Sequence, residues 1–138
     1  MNPLQHFLDK GVISETVGHD IQTHMEEQGV SFEAAALEAG VSVDVLREKL
    51  AEYYGVPSHT PNPNVKIPYE VLSHVPEDSA KHYRIIPLQV EDSVLVVGAN
   101  NPDDLQIREV LNFVTTKHNL TYRLVFLLEQ DFPRKFLS

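Results

Sequence analysis

The sequence predicts an α+β fold, with an N-terminal helical lobe of about four short helices and then a small three-stranded sheet with helices, in the order α-α-β-β-α-β-α. Three observations lead to this class: helical periodicity broken by glycines up to Gly55, a proline-rich segment after it, and β-rich runs beyond Tyr83. The 138 residues suffice for one domain or two small lobes. We therefore predict a helical subdomain at residues 1–56, a connector at 57–66 and an α/β subdomain at 67–138.

The helical subdomain shows apolar residues at helical spacing, as in Leu4, Phe7 and Leu8. The second, third and fourth predicted helices begin after a serine at the N-cap position, namely Ser14, Ser31 and Ser42. All four predicted helices are followed by a glycine, namely Gly11, Gly29, Gly40 and Gly55. Serine side chains satisfy free amides at a helix start, and glycine accepts the left-handed conformation at a helix end. Four short helices follow from this punctuation.

Prolines organise the middle of the chain. Residues 56–66 contain three prolines, which cannot donate hydrogen bonds in a helix or a central strand, so this segment is predicted to be a connector. Pro68 lies in the first turn of a short helix predicted over 67–75. Pro76 opens another helix that reaches Tyr83.

The last part of the chain alternates strands and helices. Two β-rich runs at 84–90 and 93–98 predict a hairpin across Glu91 and Asp92, although no Asn-Gly or Asp-Gly defines the turn type. Residues 100–103 are predicted to cap a helix with a buried stripe of Leu105, Val110, Leu111 and Val114. A third strand at 121–128 and a final helix at 130–137 follow. Because an isolated hairpin is only marginally stable, these elements require a small sheet covered by helices.

Composition and charge exclude several functions. Eleven basic and twenty acidic residues give a net charge of −9, which disfavours general binding to nucleic acid or to anionic membrane surfaces. The absence of cysteine excludes disulfides, thiolate metal sites and cysteine nucleophiles. No apolar run approaches 18 residues and residues 1–10 do not resemble a signal peptide, so we expect a cytoplasmic protein without direct membrane insertion.

No set of residues predicts catalysis, a cofactor or a metal site. Asp20 and His24 have the i, i+4 spacing of two metal ligands, but no third ligand is near in sequence. The alternative is structural: His24 is a half-buried ring and Asp20 is its local charge partner. Paired carboxylates such as Glu26 and Glu27 lie at predicted helix ends or turns, where solvated charge is the ordinary reading. No Gly-x-Ser-x-Gly occurs, and no glycine is followed by lysine as in a phosphate-binding loop. A binding module is the prediction.

A short internal repeat relates the two helix pairs. An apolar pair, a spacer and Gly-Val recur around Gly11 and Gly40, 29 residues apart. Either the two pairs are copies of one motif, or any two helices ended by glycine look alike. The sequence leaves both explanations open.

Four segments together resemble the N-terminal domain of type II secretion and type IV pilus assembly ATPases. They are residues 50–57, 80–88, 93–104 and 110–115. The family reads Leu-Ala-x-x-aliphatic-Gly-aliphatic-Pro, Ala-x-x-aromatic-x-apolar-apolar-Pro-Leu, a strand ending in Ala-(Asp/Asn)-Pro-x-Asp, and a helix ending near Thr-Gly. This chain departs from it in having one extra asparagine before Pro102 and Thr116 in place of the last glycine.

The resemblance implies a non-catalytic docking or regulatory domain that couples the ATPase motor to the inner-membrane platform. The implied partners are the cytoplasmic domain of a platform protein and the ATPase domains of the same or a partner chain. The implied location is the cytoplasm, peripheral to the inner membrane through those partners. No nucleic acid or cofactor is expected.

A subset of the family binds cyclic di-GMP through two tandem motifs, Arg-Leu-Gly-x-x-Leu-Val-x-x-Gly, each followed by Leu-x-x-x-Leu-x-x-Gln. The repeat lies where these motifs would fall, which gives the alternative function of a diverged cyclic di-GMP sensor. The resemblance carries the following ligand-binding candidates onto this chain: Phe7, Leu8, Gly11, Ile21, Met25, Gln28, Leu37, Gly40, Leu46 and Leu50.

The leading Arg-Leu-Gly is missing from both copies. Its first position is Asn2 in one copy and Ser31 in the other, and Glu33 stands at its glycine position in the second. A guanidinium can stack on a base while it donates to a phosphate, which asparagine and serine cannot do, and a carboxylate repels phosphate. We therefore expect no tight binding of cyclic di-GMP.

Overall fold

A computed structural model describes residues 2–133, which form two compact units that meet at the Gly55–Val56 bond. The first unit is all helical: α1 (Leu4–Asp9), α2 (Glu15–Gln28), α3 (Phe32–Glu38) and α4 (Val43–Tyr54). The Oγ atoms of Ser14, Ser31 and Ser42 each accept a hydrogen bond from the amide three residues ahead, at 3.1–3.2 Å. The predicted lobe of four short helices is confirmed, and side-chain capping is what starts three of them.

The first unit has its own apolar core. Phe7 and Ile21 are completely buried, and the ring of Phe7 packs edge-to-face on that of Phe32 with centroids 5.0 Å apart. Leu46 and Leu50, at i, i+4 spacing, form the inner face of α4 and are buried. Since Phe7 is in α1 and Phe32 begins α3, this aromatic pair joins the two helix pairs.

The described part of the second unit, residues 56–133, contains three α-helices and a three-stranded sheet. In chain order they are α5 (Tyr69–Leu72), α6 (Glu77–Tyr83), β1 (Ile85–Glu91), β2 (Val94–Ala99), α7 (Leu105–Lys117) and β3 (Thr121–Phe126), followed by a 3-10 turn at Glu129–Asp131. The predicted α+β order is confirmed. The last element that the structure describes is the 3-10 turn, and residues 134–137 of the predicted last helix lie outside the described residues.

The sheet is mixed, in the order β1-β2-β3. Strand β2 pairs antiparallel with β1 and parallel with β3, with α7 as the crossover that a parallel pair requires. The connector also pairs with the sheet: Ser58 forms a parallel bridge with Phe126, and the amide of His59 donates to the carbonyl of Phe126 at 3.0 Å.

The hairpin turn is one residue later than predicted. Glu91, the last residue of β1, pairs with Val94, the first residue of β2, which leaves Asp92 and Ser93 as the loop. Both have positive φ, 49° and 64°. Two such residues define a type I′ turn, whose twist matches the flanking strands even without the usual Asn-Gly.

Helix α7 packs on the sheet through Ile107 and Leu111, which are both fully buried. Leu105, predicted to join that stripe, is instead 72% exposed. The spacing explains the difference: Ile107, Leu111 and Val114 follow i, i+4, i+7, whereas Leu105 is six residues from Leu111 and lies about 120° away around the helix.

Candidate functional site

The first copy of the internal repeat ends α1 in a glycine turn. The amide of Gly11 donates to the carbonyl of Leu8 at 3.1 Å, and the amide of Val12 donates to that of Phe7 at 2.9 Å. Gly11 has a φ of 69°, a left-handed conformation that a side chain would strain. This pair of bonds is a Schellman motif.

The second copy ends α3 in the same way. The amide of Gly40 donates to the carbonyl of Leu37 at 3.1 Å, and the amide of Val41 donates to that of Ala36 at 3.0 Å. Gly40 is also left-handed, with a φ of 97°. The match extends to the next helix, because Ser14 caps α2 and Ser42 caps α4 with the same 3.2 Å bond. The repeat is therefore structural as well as sequential.

At the positions where the family motif carries arginine, this chain has short side chains that accept hydrogen bonds from the first turn of a helix. The Oδ1 of Asn2 accepts a hydrogen bond from the amide of Leu4 at 2.9 Å. The Oγ of Ser31 accepts one from the amide of Ala34 at 3.1 Å. Both short side chains are thus directed to their own backbones and carry no positive charge.

The ten ligand-binding candidates fall into three groups in the first unit. The core residues are Phe7, Ile21, Leu46 and Leu50. The half-buried residues are Leu8, Met25 and Leu37, and the exposed residues are Gly11, Gln28 and Gly40. The glycine turns and Gln28 are open to solvent, whereas the four core side chains pack the helices together.

A cavity of about 480 Å³ opens in the first unit between α1 and α2. Leu4, Leu8 and Gly18 are among its lining residues, together with the carboxylates of Asp9 and Glu15. Gly18 was not singled out by the sequence, yet a Cβ there would approach Leu8 Cδ2 to 2.9 Å. A helical glycine facing an apolar side chain is the signal that could have found it. The two carboxylates make this cavity unfavourable for phosphate.

Negative charge is concentrated in the first unit. Residues 1–55 hold ten acidic and three basic side chains, a net charge of −7 out of the −9 of the whole chain. Nine of those ten acidic residues are exposed, and only Glu33 is half-buried. Exposed like charges on one small body attract cationic partners and repel anionic ones.

The second unit has an apolar groove of about 630 Å³ between the connector and one face of the sheet. Leu88, Val96 and Leu127 line it, and Lys66 and Asp131 add one charge of each sign. The groove has no concentration of positive charge that would favour an anionic ligand.

The described residues contain no group of three or more histidine, aspartate or glutamate side chains that could hold a metal ion. Asp20 is exposed and His24 half-buried, and the carboxylates of Glu26 and Glu27 are exposed. Glu26 and Glu27 are solvated surface charges, as their positions at a helix end predicted.

The fold and the site together define a small two-unit α+β module with an acidic helical part. Residues 54–136 match the family model of the MshEN domain. The chain belongs to this family, the N-terminal domain of secretion and pilus ATPases, and it represents the regulatory or docking region of such proteins and not their catalytic motor. The resemblance predicted from the sequence is confirmed.

Solved structures show the same fold. A structure of MshE with cyclic di-GMP is 17% identical, with a TM-score of 0.74, over 99% of this chain and 96% of that chain. The N-terminal domain of XpsE is 16% identical, with a TM-score of 0.59, over 96% of this chain and 90% of that chain; a second crystal form gives 17% and 0.50. No curated protein has a matching sequence. Among residues 2–133, none of the helices is long and apolar enough to span a bilayer.

Proposed function

We propose that this chain is a non-catalytic docking domain that couples a secretion or pilus ATPase to the cytoplasmic part of its inner-membrane platform protein. The observation that carries the proposal is the net charge of −7 on the first unit, in a chain of the MshEN family. The ATPase domains of the same or a partner chain are the second partner. The domain then works in the cytoplasm, held at the inner membrane through protein contacts.

Membrane electrostatics favour this kind of partner. Cytoplasmic segments of membrane proteins close to the bilayer are enriched in lysine and arginine, whereas the lipid surface itself is anionic. An acidic unit is attracted to the first and repelled by the second. The charge of the first unit therefore supports recruitment by a basic protein segment without direct lipid contact.

Neutralising three exposed carboxylates on α2 is expected to weaken the complex with the platform protein's cytoplasmic domain roughly 3- to 150-fold. The variant is Asp20→Asn, Glu26→Gln, Glu27→Gln, and it loses three surface ion pairs worth roughly 0.2–1 kcal/mol each. Titration calorimetry at low and at high salt measures the effect, and the wild-type affinity is expected to fall as salt rises.

The matched control removes the same charge from the second unit, in Glu70→Gln, Asp78→Asn, Glu109→Gln. All three carboxylates are exposed, and this variant should bind like the wild type. The absence of a complex at tens of micromolar wild-type protein would end the platform assignment. Equal weakening by the two variants would show that only total charge matters.

A second candidate is a diverged cyclic di-GMP sensor. It is favoured by the repeated glycine turns of the first unit and by the fold shared with MshE, whose structure contains cyclic di-GMP. Against it stand the hydrogen bonds of the Asn2 and Ser31 side chains to their own backbone, and the negative charge around the turns.

We expect calorimetry to detect no binding of cyclic di-GMP in the low micromolar range, because no arginine fork meets its two phosphates. The informative variant is the double substitution Asn2→Arg, Ser31→Arg, which restores the family's arginines and should raise the affinity. Submicromolar binding by the wild-type chain would overturn the argument from the missing arginines and favour the sensor.

A further inference from the structure

Two histidines that are 44 residues apart in sequence meet in the second unit. His74 follows α5 and is half-buried, and His118 is the exposed C-cap residue of α7. Their ring centroids are 5.0 Å apart with an angle of 70° between the planes. No motif in the sequence joins them, and neither belongs to the family resemblance.

The tautomer of the neutral His74 ring follows from its backbone contact. Its Nδ1 is 3.1 Å from the carbonyl oxygen of Val71, which can only accept a hydrogen bond, so Nδ1 carries the hydrogen. In the neutral ring the Nε2 atom then keeps a free lone pair. A histidine that ligates a metal usually donates its other nitrogen to a carbonyl or carboxylate in this way, which also holds the ring in place.

The spacing of the two rings fits one shared ion. With metal–nitrogen bonds of about 2.0–2.1 Å, two imidazoles on one ion at angles between 90° and tetrahedral have centroids roughly 4.5–5.2 Å apart. The observed 5.0 Å lies within this range. His118 also stands at the C-terminal end of the 13-residue helix α7, where the partial negative charge of the helix favours a cation, although Lys117 opposes it.

We propose that His74 and His118 form a two-histidine site for a divalent first-row transition ion. Imidazole nitrogen suits copper, nickel and zinc, and copper binds most tightly to a given nitrogen site. No third histidine, aspartate or glutamate joins the pair within residues 2–133. The remaining coordination positions are therefore taken by water or by a group from another molecule. This site is independent of the proposed docking function.

Titration of the full chain with Cu²⁺ alone, in a buffer that does not bind metals, tests the site. We expect one ion per chain with a dissociation constant in the micromolar range, and electron paramagnetic resonance should show two coupled nitrogens. His74→Asn and His118→Asn should each raise the dissociation constant about tenfold or more. At a Cu²⁺ concentration near the wild-type dissociation constant, the ion should also raise the unfolding temperature of the wild type more than that of either variant.

The control is His24→Asn, which removes the histidine of the Asp20–His24 pair and should leave the titration unchanged. Because His118 is exposed, its variant keeps the test valid even if His74→Asn loses stability. Wild-type affinity in His118→Asn, weakening by only one of the two substitutions, or equal weakening by the control would each overturn the shared site.

Discussion

Replacement of Phe7 by alanine is expected to lower the free energy of unfolding of the first unit by about 3–5 kcal/mol. The ring is fully buried, and its removal takes away the edge-to-face contact with Phe32 that joins the two helix pairs. The void cannot be filled by Phe32 alone, because Phe32 begins α3 and is held by the helix that Ser31 caps. This is the largest effect that we predict for one side chain.

Hydrogen exchange of the first unit's amides measures the loss, and the amides of Val12 and Val41 report on both glycine turns. Phe7→Leu keeps most of the volume and should cost less than half as much. Phe113→Ala is the control for the chemical change, since Phe113 is 72% exposed on α7. If Phe7→Ala and Phe113→Ala changed stability equally, Phe7 would not be a core residue. Its prediction as a ligand-binding residue would then stand again.

Leu111→Ala is expected to destabilise the second unit by about 2–5 kcal/mol. Leu111 is fully buried in the core between α7 and the sheet, with Ile107 one turn before it. Helix α7 and the sheet are both regular elements, so their backbones cannot move far into the cavity that the substitution leaves. Urea denaturation followed by circular dichroism measures the loss.

The same helix supplies a matched control. Leu105→Ala makes the identical change on the outer face of α7 and should cost less than about 0.5 kcal/mol. A cost for Leu105→Ala equal to that for Leu111→Ala would mean that the outer face of α7 is also packed. That result would contradict the orientation of the helix on the sheet.

The sequence predicted the helical part well because its signals are local. A serine at the N-cap and a glycine at the helix end each act within four residues, and both features of α2 and α4 were predicted and found. The 29-residue repeat was visible in the sequence for the same reason, because one glycine and the apolar pair before it are the local signal of each Schellman turn.

The site was predicted less completely, because a family motif does not say which of its side chains face solvent. The candidate list combined exposed Gly11 and Gly40 with buried Phe7 and Ile21. Only the packed helices separate a residue that is available to a ligand from one that holds the turns in place. The hydrogen bonds that the Asn2 and Ser31 side chains accept from the backbone are likewise visible only in the structure.

By itself the sequence determined the fold class, the helix ends of the first unit, the family and the excess of negative charge, all of which depend on composition or on neighbours along the chain. The tertiary structure decided the pairing of β3 with β2, the exposure of Leu105 and the meeting of His74 with His118. These features join residues far apart in the chain, and their geometry is set by how helices and strands pack, which no local pattern encodes.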